Sequence, residues 1–453
     1  MLRRIVDVRP GEAAVLLLSL AYFFFLLSGY YILRPLRDQV GSGYDATGLK
    51  WLFLGTLAGM VVANPIYGWV VSRWPRRTFI PWVYRFFGLN LLAFFVLWKA
   101  RPEEHGGPIS VAFFVWVSIY NVFVVSVFWS FMADVFRLEQ SKRLFGIIAA
   151  GGSLGAVAGA GLTKSLVGSF GPVNLLLVSL VLLELATQAM AWIGRRVRFP
   201  DEKAGAPAGA GVAGTTVARA ADAASTAPEQ AESGSAWNGL LLILRSRYLL
   251  LIAAHFLVAS GIGTVLYFEQ SQLVKEASPD KAERTRIFAD IDMWTNAATL
   301  VTQFFLTGRI VRKLGIGFAL LMQPLVAFLA LLGMAVSPVL AVLIAAQIAL
   351  RTLQHATTRP AREMLFTVLG REVKYKAKSF VDTFVYRLGD QLGSWGFDWL
   401  RTDRALSLSA IAWTTVPLAV LWCGIAAALG RMQKRFARER EAAYPAPSSP
   451  ANL

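Results

Sequence analysis

The chain has 453 residues, 56% of them hydrophobic and 16% charged, which is too apolar for a water-soluble protein of this size. Its net charge of +17 does not mark a nucleic-acid binder, because Lys and Arg sit in short loops between apolar segments and form no single face or tract. One cysteine, Cys423, excludes an intrachain disulfide and a Cys metal site.

The pattern is that of an all-α polytopic membrane protein. At roughly 20 residues per crossing, about twelve spans fall near 13–34, 50–71, 78–99, 109–134, 144–166 and 171–194, then 246–270, 288–311, 315–336, 338–363, 377–399 and 405–430. The first run is too long for a signal-peptide core and lacks a small-residue cleavage site, so it reads as the first span. An even count puts both termini on one side. Basic loops such as Arg73/Arg76/Arg77, Arg137/Lys142/Arg143, Arg195/Arg196/Arg198 and Lys374/Lys376/Lys378 all fall on that same side. By the positive-inside rule it is cytoplasmic.

Between the fourth and fifth spans, Val127 to Arg137 closes one apolar helix, a short basic loop follows, and Gly151, Gly155 and Gly159 open a nearly bare helix face. Small residues at every fourth position let another helix approach at backbone distance, the packing used where no water drives association.

The organisation is a six-helix half at 1–200, a flexible cytoplasmic linker at 201–240 rich in Ala, Gly, Ser, Thr and Pro, a second half at 241–435 and a disordered tail at 436–453. The halves echo each other. Gly68 with Arg73, Arg76 and Arg77 follows the second span, and Gly308 with Arg309, Arg312 and Lys313 follows its counterpart. A Gly followed by basic residues at a tight turn resembles the loop between helices two and three of the major facilitator superfamily, although both copies lack its usual Asp. Six spans, a linker and six more favour that architecture.

An ionisable group at mid-membrane costs about 2.5–3.5 kcal/mol and needs a partner or a watery cavity. Candidates are Arg34, Arg37 and Asp38 in span one, Lys50 opening span two, Arg85 in span three and Glu184 in span six. In the second half they are Glu269, Asp290, Asp292, Arg351, Arg359, Arg362, Glu363, Asp382, Arg387, Asp390 and Asp398. The excess of Arg and Lys near spans one, two and ten suits an anionic solute, because guanidinium forks pair bidentately with phosphate or carboxylate. Structural Arg–Asp pairing and snorkelling to the interface are the competing readings. Glu184 fits either a proton-coupling acid or a buried hydrogen-bonded one.

Other motifs fail. Gly159 to Ser165 has Thr163 where a P-loop requires Gly before Lys164. The three His are far apart and no HExxH spacing occurs, so no metal and no cofactor is assigned. No catalytic triad or carboxylate pair stands out, so an enzyme is not expected.

A family resemblance covers most of the spans. Tyr31-Ile-Leu-Arg34-Pro-Leu-Arg37-Asp38 is similar to the Ile-Leu-Arg-Asp-Thr-Lys-Asp stretch of the bacterial and plastid-type ATP/ADP translocases. Phe128-Trp129-Ser-Phe131 through Lys142-Arg143 resembles their Phe-Trp-Gly-Phe-Ala-Asn…Ala-Lys-Arg-Phe signature. Arg359-Pro360-Ala-Arg362-Glu363-Met364 resembles their Asp-Pro-x-Lys-Glu-Met, and the block with Asp382, Arg387, Leu388 and Gly389 resembles the one that follows it. The resemblance implies exchange of nucleotides. By it Lys50 matches a helix-two lysine of the nucleotide site, Glu269 an acid near the end of helix seven, and Arg362 a lysine in helix ten. The family's acid in helix four has no counterpart around Val117 to Asn121.

The expectation is therefore a secondary transporter in the lipid bilayer that exchanges nucleotides or a related phosphorylated anion by alternating access. Arg34, Arg37, Lys50, Glu269, Arg362 and Arg387 are the candidate substrate contacts. Asp38, Glu184, Glu363, Asp382 and Asp390 are the candidate coupling or gating acids. The alternative is an ion-coupled symporter or exporter of another organic anion.

Overall fold

A computed structural model describes residue 9 and residues 12–73, 76–101, 107–197, 243–366, 377–378 and 380–443. The 201–240 linker lies outside the described residues. The first half comprises α1 (Ala13–Ser42), α2 (Ala46–Arg73), α3 (Arg76–Ala100), α4 (Pro108–Val135), α5 (Leu138–Phe170) and α6 (Leu175–Arg196).

In the second half α7 spans Arg247–Ala277, and α8 spans Lys281–Thr302 and continues through a π turn at Gln303–Thr307. Next, α9 spans Gly308–Val336, and α10 joins Leu340–Leu353 to Arg359–Phe366 through a π turn at Gln354–Thr358. Helix α11 holds Tyr386–Asp398 between π turns at Val381–Val385 and Trp399–Asp403, and α12 spans Leu408–Ala443. Residues 436–443, assigned from sequence to a disordered tail, therefore continue the last helix. The eighth helix starts earlier than expected because Asp280 caps it, accepting from the backbone N–H groups of Ala282 and Glu283 at 3.3 and 3.0 Å.

All-helical structure follows from composition. A segment in hydrocarbon must satisfy its backbone polar groups within itself, and a helix does so. Among the described residues nine helices are long and apolar enough to cross a membrane unaided, and α8, α10 and α11 are not among them. Those three carry all of the second half's in-span candidates except Glu269 on α7.

Helix packing realises the small-residue face. A Cβ at Gly155 would lie 2.3 Å from the Phe24 carbonyl oxygen, and one at Gly159 would lie 2.3 Å from that of Ser28. So α5 rests directly on the α1 backbone, and Ser28 Oγ donates to the Gly155 carbonyl at 2.9 Å. The second half repeats the device with α11 on α7. There a Cβ at Gly389 would come within 2.5 Å of the Leu257 carbonyl oxygen, and one at Gly393 within 2.5 Å of that of Gly261. Equivalent helices of the two halves thus meet through glycines four apart.

The halves meet along a seam at the face opposite the chain ends. Lys50 on α2 bonds Asp398 on α11, and Thr47 donates to the same carboxylate at 2.7 Å. Lys164 on α5 pairs with Asp290 on α8 at 2.6 Å. Lys275 on α7 donates to the Gly43 carbonyl at 3.0 Å. Polar links at the other face join helices of a single half: Glu12 with Gln140 and Arg143, Arg362 with Asp382, and Lys378 with Glu363.

Candidate functional site

Between the halves, on the terminus side of the seam, lies a cavity of about 590 Å³. Its wall includes six arginines, Arg34 and Arg37 from α1, Arg351, Arg359 and Arg362 from α10, and Arg387 from α11, against three acids, Asp38, Asp382 and Asp390. The charge excess is positive, inside a bundle where an uncompensated charge is costly.

Helix α10 supplies three of the six arginines. Gln347, Arg351, Gln354, Thr358 and Arg362 all line the cavity, and their spacing of three or four residues places them on one helix face. The π turn between the two α-helical parts keeps that face directed inward across the Pro at 360. Arg34 and Arg37 flank Pro35 on α1.

The arginines differ in how they are held. At the deep end Asp292 Oδ1 takes both Arg34 Nη1 at 3.2 Å and Arg351 Nη1 at 3.1 Å, so one carboxylate joins the two halves. Asp38 takes Arg37 at 3.1 Å and the Tyr267 hydroxyl at 2.9 Å, while the Arg37 guanidinium lies 4.0 Å over the Phe114 ring. Toward the terminus face, Arg362 Nη1 pairs with Asp382 at 3.0 Å. Arg387 lies 3.5 Å from Asp390, which Ser260 and Thr264 also hold. The Arg359 side chain is exposed to the cavity, with no hydrogen bond or ion pair to another described residue. Such a chamber can bind a multiply charged anion by offering guanidinium forks in place of water.

The family model of the Major Facilitator Superfamily matches residues 13–361. The chain belongs to the major facilitator superfamily. Twelve helices in two halves, with the cavity between them, is therefore the expected architecture realised, and this facilitator is a membrane transporter. Over 495 residues it is 23% identical to "ADP,ATP carrier protein 2" of Chlamydia pneumoniae, covering 95% of this chain and 90% of that one.

Two solved structures share the fold. An auto-inhibited POT family peptide transporter has a TM-score of 0.58 at 15% identity, covering 97% of this chain and 99% of that chain. A bacterial homologue of the human lysosomal transporter Spinster, in an inward-facing and unoccupied conformation, has a TM-score of 0.51 at 12% identity, covering 96% of both chains.

In this facilitator the cavity wall gathers Arg34, Arg37, Arg362, Arg387, Asp38, Asp382 and Asp390 from the residues picked out by sequence. Four others stand elsewhere. Lys50 is captured in the seam by Asp398. Glu269 is fully buried beside the cavity wall, and neither carboxyl oxygen has a hydrogen-bond partner among the described residues. Glu363 is held by Lys378 next to Arg362. Glu184 is half exposed on the outer surface, 4.0 Å from Arg85 and accepting from Gln188 at 2.5 Å.

Arg351 and Arg359 are among the in-span charges picked out by sequence but not among its candidate substrate contacts. The signal was present: Gln347, Arg351, Gln354, Thr358 and Arg362 form a polar stripe in an otherwise apolar span.

Proposed function

We propose that this chain exchanges nucleotides, or a closely related phosphorylated anion, across a bacterial inner membrane with both termini in the cytoplasm. The observation that carries the reading is the convergence of six arginines from both halves on one cavity that holds only three carboxylates. Arg37, Arg359 and Arg362 neutralise phosphates, helped by Arg34, Arg351 and Arg387. Similarity to an ADP,ATP carrier over nearly the full length supports phosphate chemistry over simple carboxylates.

In this reading the seam through Lys50, Asp398, Lys164 and Asp290 closes the outer face, and the cavity belongs to the inward-facing state. Exchange then requires the seam to break while contacts form at the cytoplasmic end, around a site that stays in place. A bound anion lowers the barrier by replacing the carboxylates that hold the arginines in the empty cavity.

The experiment is uptake of labelled ATP into vesicles containing the purified protein and preloaded with ADP. Uptake that depends on internal ADP supports exchange; a folded protein that moves no nucleotide under these conditions sinks it. The second reading is ion-coupled symport of another organic anion. It is favoured by Glu269, a buried acid without a partner among the described residues, and it predicts uptake that collapses with an uncoupler and needs no counter-substrate.

A further inference from the structure

Beside the arginines the cavity carries a different chemistry. Gln323 on α9 and Gln347 on α10 are each more than nine-tenths buried. Both line the cavity, and the Gln347 amide nitrogen has no hydrogen-bond partner among the described residues. Gly317 touches Gly430 and Ser409 bonds the Ala335 carbonyl, an antiparallel register of α9 and α12 that sets Gln323 level with Trp422. Trp422 lines the same cavity, with its indole N–H donated to His255 Nδ1 at 3.1 Å. Ala259, Gly263, Ala327 and Leu350 supply apolar wall nearby, and a Cβ added at Gly263 would meet nothing within 4 Å.

A buried amide donor without an acceptor is costly to keep. An apolar and aromatic wall carrying such amides suits a flat, uncharged group with hydrogen-bonding atoms on its edge. Side-chain amides pair bidentately with base edges, and the arginines of α10 stand along the same cavity wall.

We propose that Gln323, Gln347 and Trp422 form the pocket for the heterocyclic base of the nucleotide whose phosphates the arginines hold. The proposal rests on the nucleotide reading above, and it separates two jobs in one chamber: the arginines bind charge, and the amide wall selects the base.

Full-length protein in detergent is titrated with ATP and, separately, with inorganic tripolyphosphate, with affinity read from the ligand-dependent thermal shift. The wild type is expected to bind ATP at least about tenfold more tightly than tripolyphosphate. Gln347→Leu and Gly263→Leu, the second filling the pocket, are expected to remove that advantage and leave tripolyphosphate affinity unchanged. Gln347→Met keeps the length without the amide or a charge, guards against a packing defect in the Leu variant and is expected to lose the preference as well. Equal affinity of the wild type for both probes, or variants that weaken tripolyphosphate as much as ATP, overturns the base pocket and leaves the anion site standing. If neither probe stabilises the wild type, the nucleotide reading falls and the pocket falls with it.

Discussion

Lys50 and Asp398 are bonded to each other across the two halves although 348 residues separate them in the chain. With Thr47 on the same carboxylate, they fasten α2 to α11 at the closed face. Asp398→Asn is expected to weaken the seam by about 2 kcal/mol, roughly a 30-fold change in the ratio of closed to open forms. A cysteine placed at Phe53, in a Cys423→Ser background, reports this through labelling by an impermeant thiol reagent added at that face. An unchanged labelling rate denies the pair a gating role.

Asp292 holds Arg34 and Arg351 together where the cavity ends. In Asp292→Asn two buried arginines lose their shared counter-charge, so the empty protein is expected to melt several degrees lower. Phosphate-bearing ligands no longer compete with a resident carboxylate and are expected to bind several-fold more tightly. Titrating tripolyphosphate against the melting temperature measures both effects at once.

Arg359 and Arg362 separate binding from stability. The Arg359 side chain has no hydrogen bond or ion pair to another described residue, so Arg359→Ala is expected to leave stability within about 0.5 kcal/mol while cutting exchange at least tenfold. Arg362→Ala also removes the ion pair to the buried carboxylate of Asp382 and is expected to lower both stability and transport. Thermal melts and vesicle uptake run side by side test the contrast; unchanged uptake in both variants removes α10 from the site.

Gly155 and Gly393 test the packing. A side chain at either must push a neighbouring backbone carbonyl away by more than 0.5 Å, so Gly155→Val and Gly393→Val are each expected to cost about 3 kcal/mol or more. Monodisperse yield in detergent and the melting temperature report the loss. A Val at Gly168, where an added Cβ meets nothing within 4 Å, is the control.

Glu12, just before α1, predicts a pH dependence. Burial opposes its ionisation, but hydrogen bonds from Gln140, the Arg9 backbone N–H and Arg143 outweigh that and hold the carboxyl at about 2. A carboxylate with a lowered pKa contributes stability above its unfolded pKa of about 4.5 and loses it as pH falls through about 2. The stability difference between wild type and Glu12→Gln, about 1–2 kcal/mol, is therefore expected to be flat above pH 4.5 and to shrink between pH 4.5 and 2. Melts across that range check it.

Span number and the glycine face of α5 were legible because each rests on local pattern: length of apolar run and spacing of small residues. Which in-span charges share a chamber was less so, since a charge in a span says nothing about the direction in which its helix is turned. Glu184 shows the difficulty. Val181 and Leu185, on its side of α6, are exposed, whereas Ser179, Leu183, Ala186 and Thr187 are buried. The helix thus buries a face of mixed small and large residues and turns Glu184 outward, a register that apolar content alone does not reveal because large apolar residues stand on both faces. Lys50 escaped for another reason: its partner Asp398 lies in the other half, and no local pattern joins them.

Three helices of the second half, α8, α10 and α11, are too polar or too interrupted to enter hydrocarbon on apolar content alone. During synthesis each must therefore be sheltered by neighbours made earlier or later, and α11 has its berth ready in the bare carbonyls of α7. Chains truncated shortly after α8 or α10 are destined for quality-control proteolysis, and a stable fragment should first emerge only when α12 has been made. The charges that these helices bring into the bundle are the same ones that oblige its second half to enter the membrane as a set.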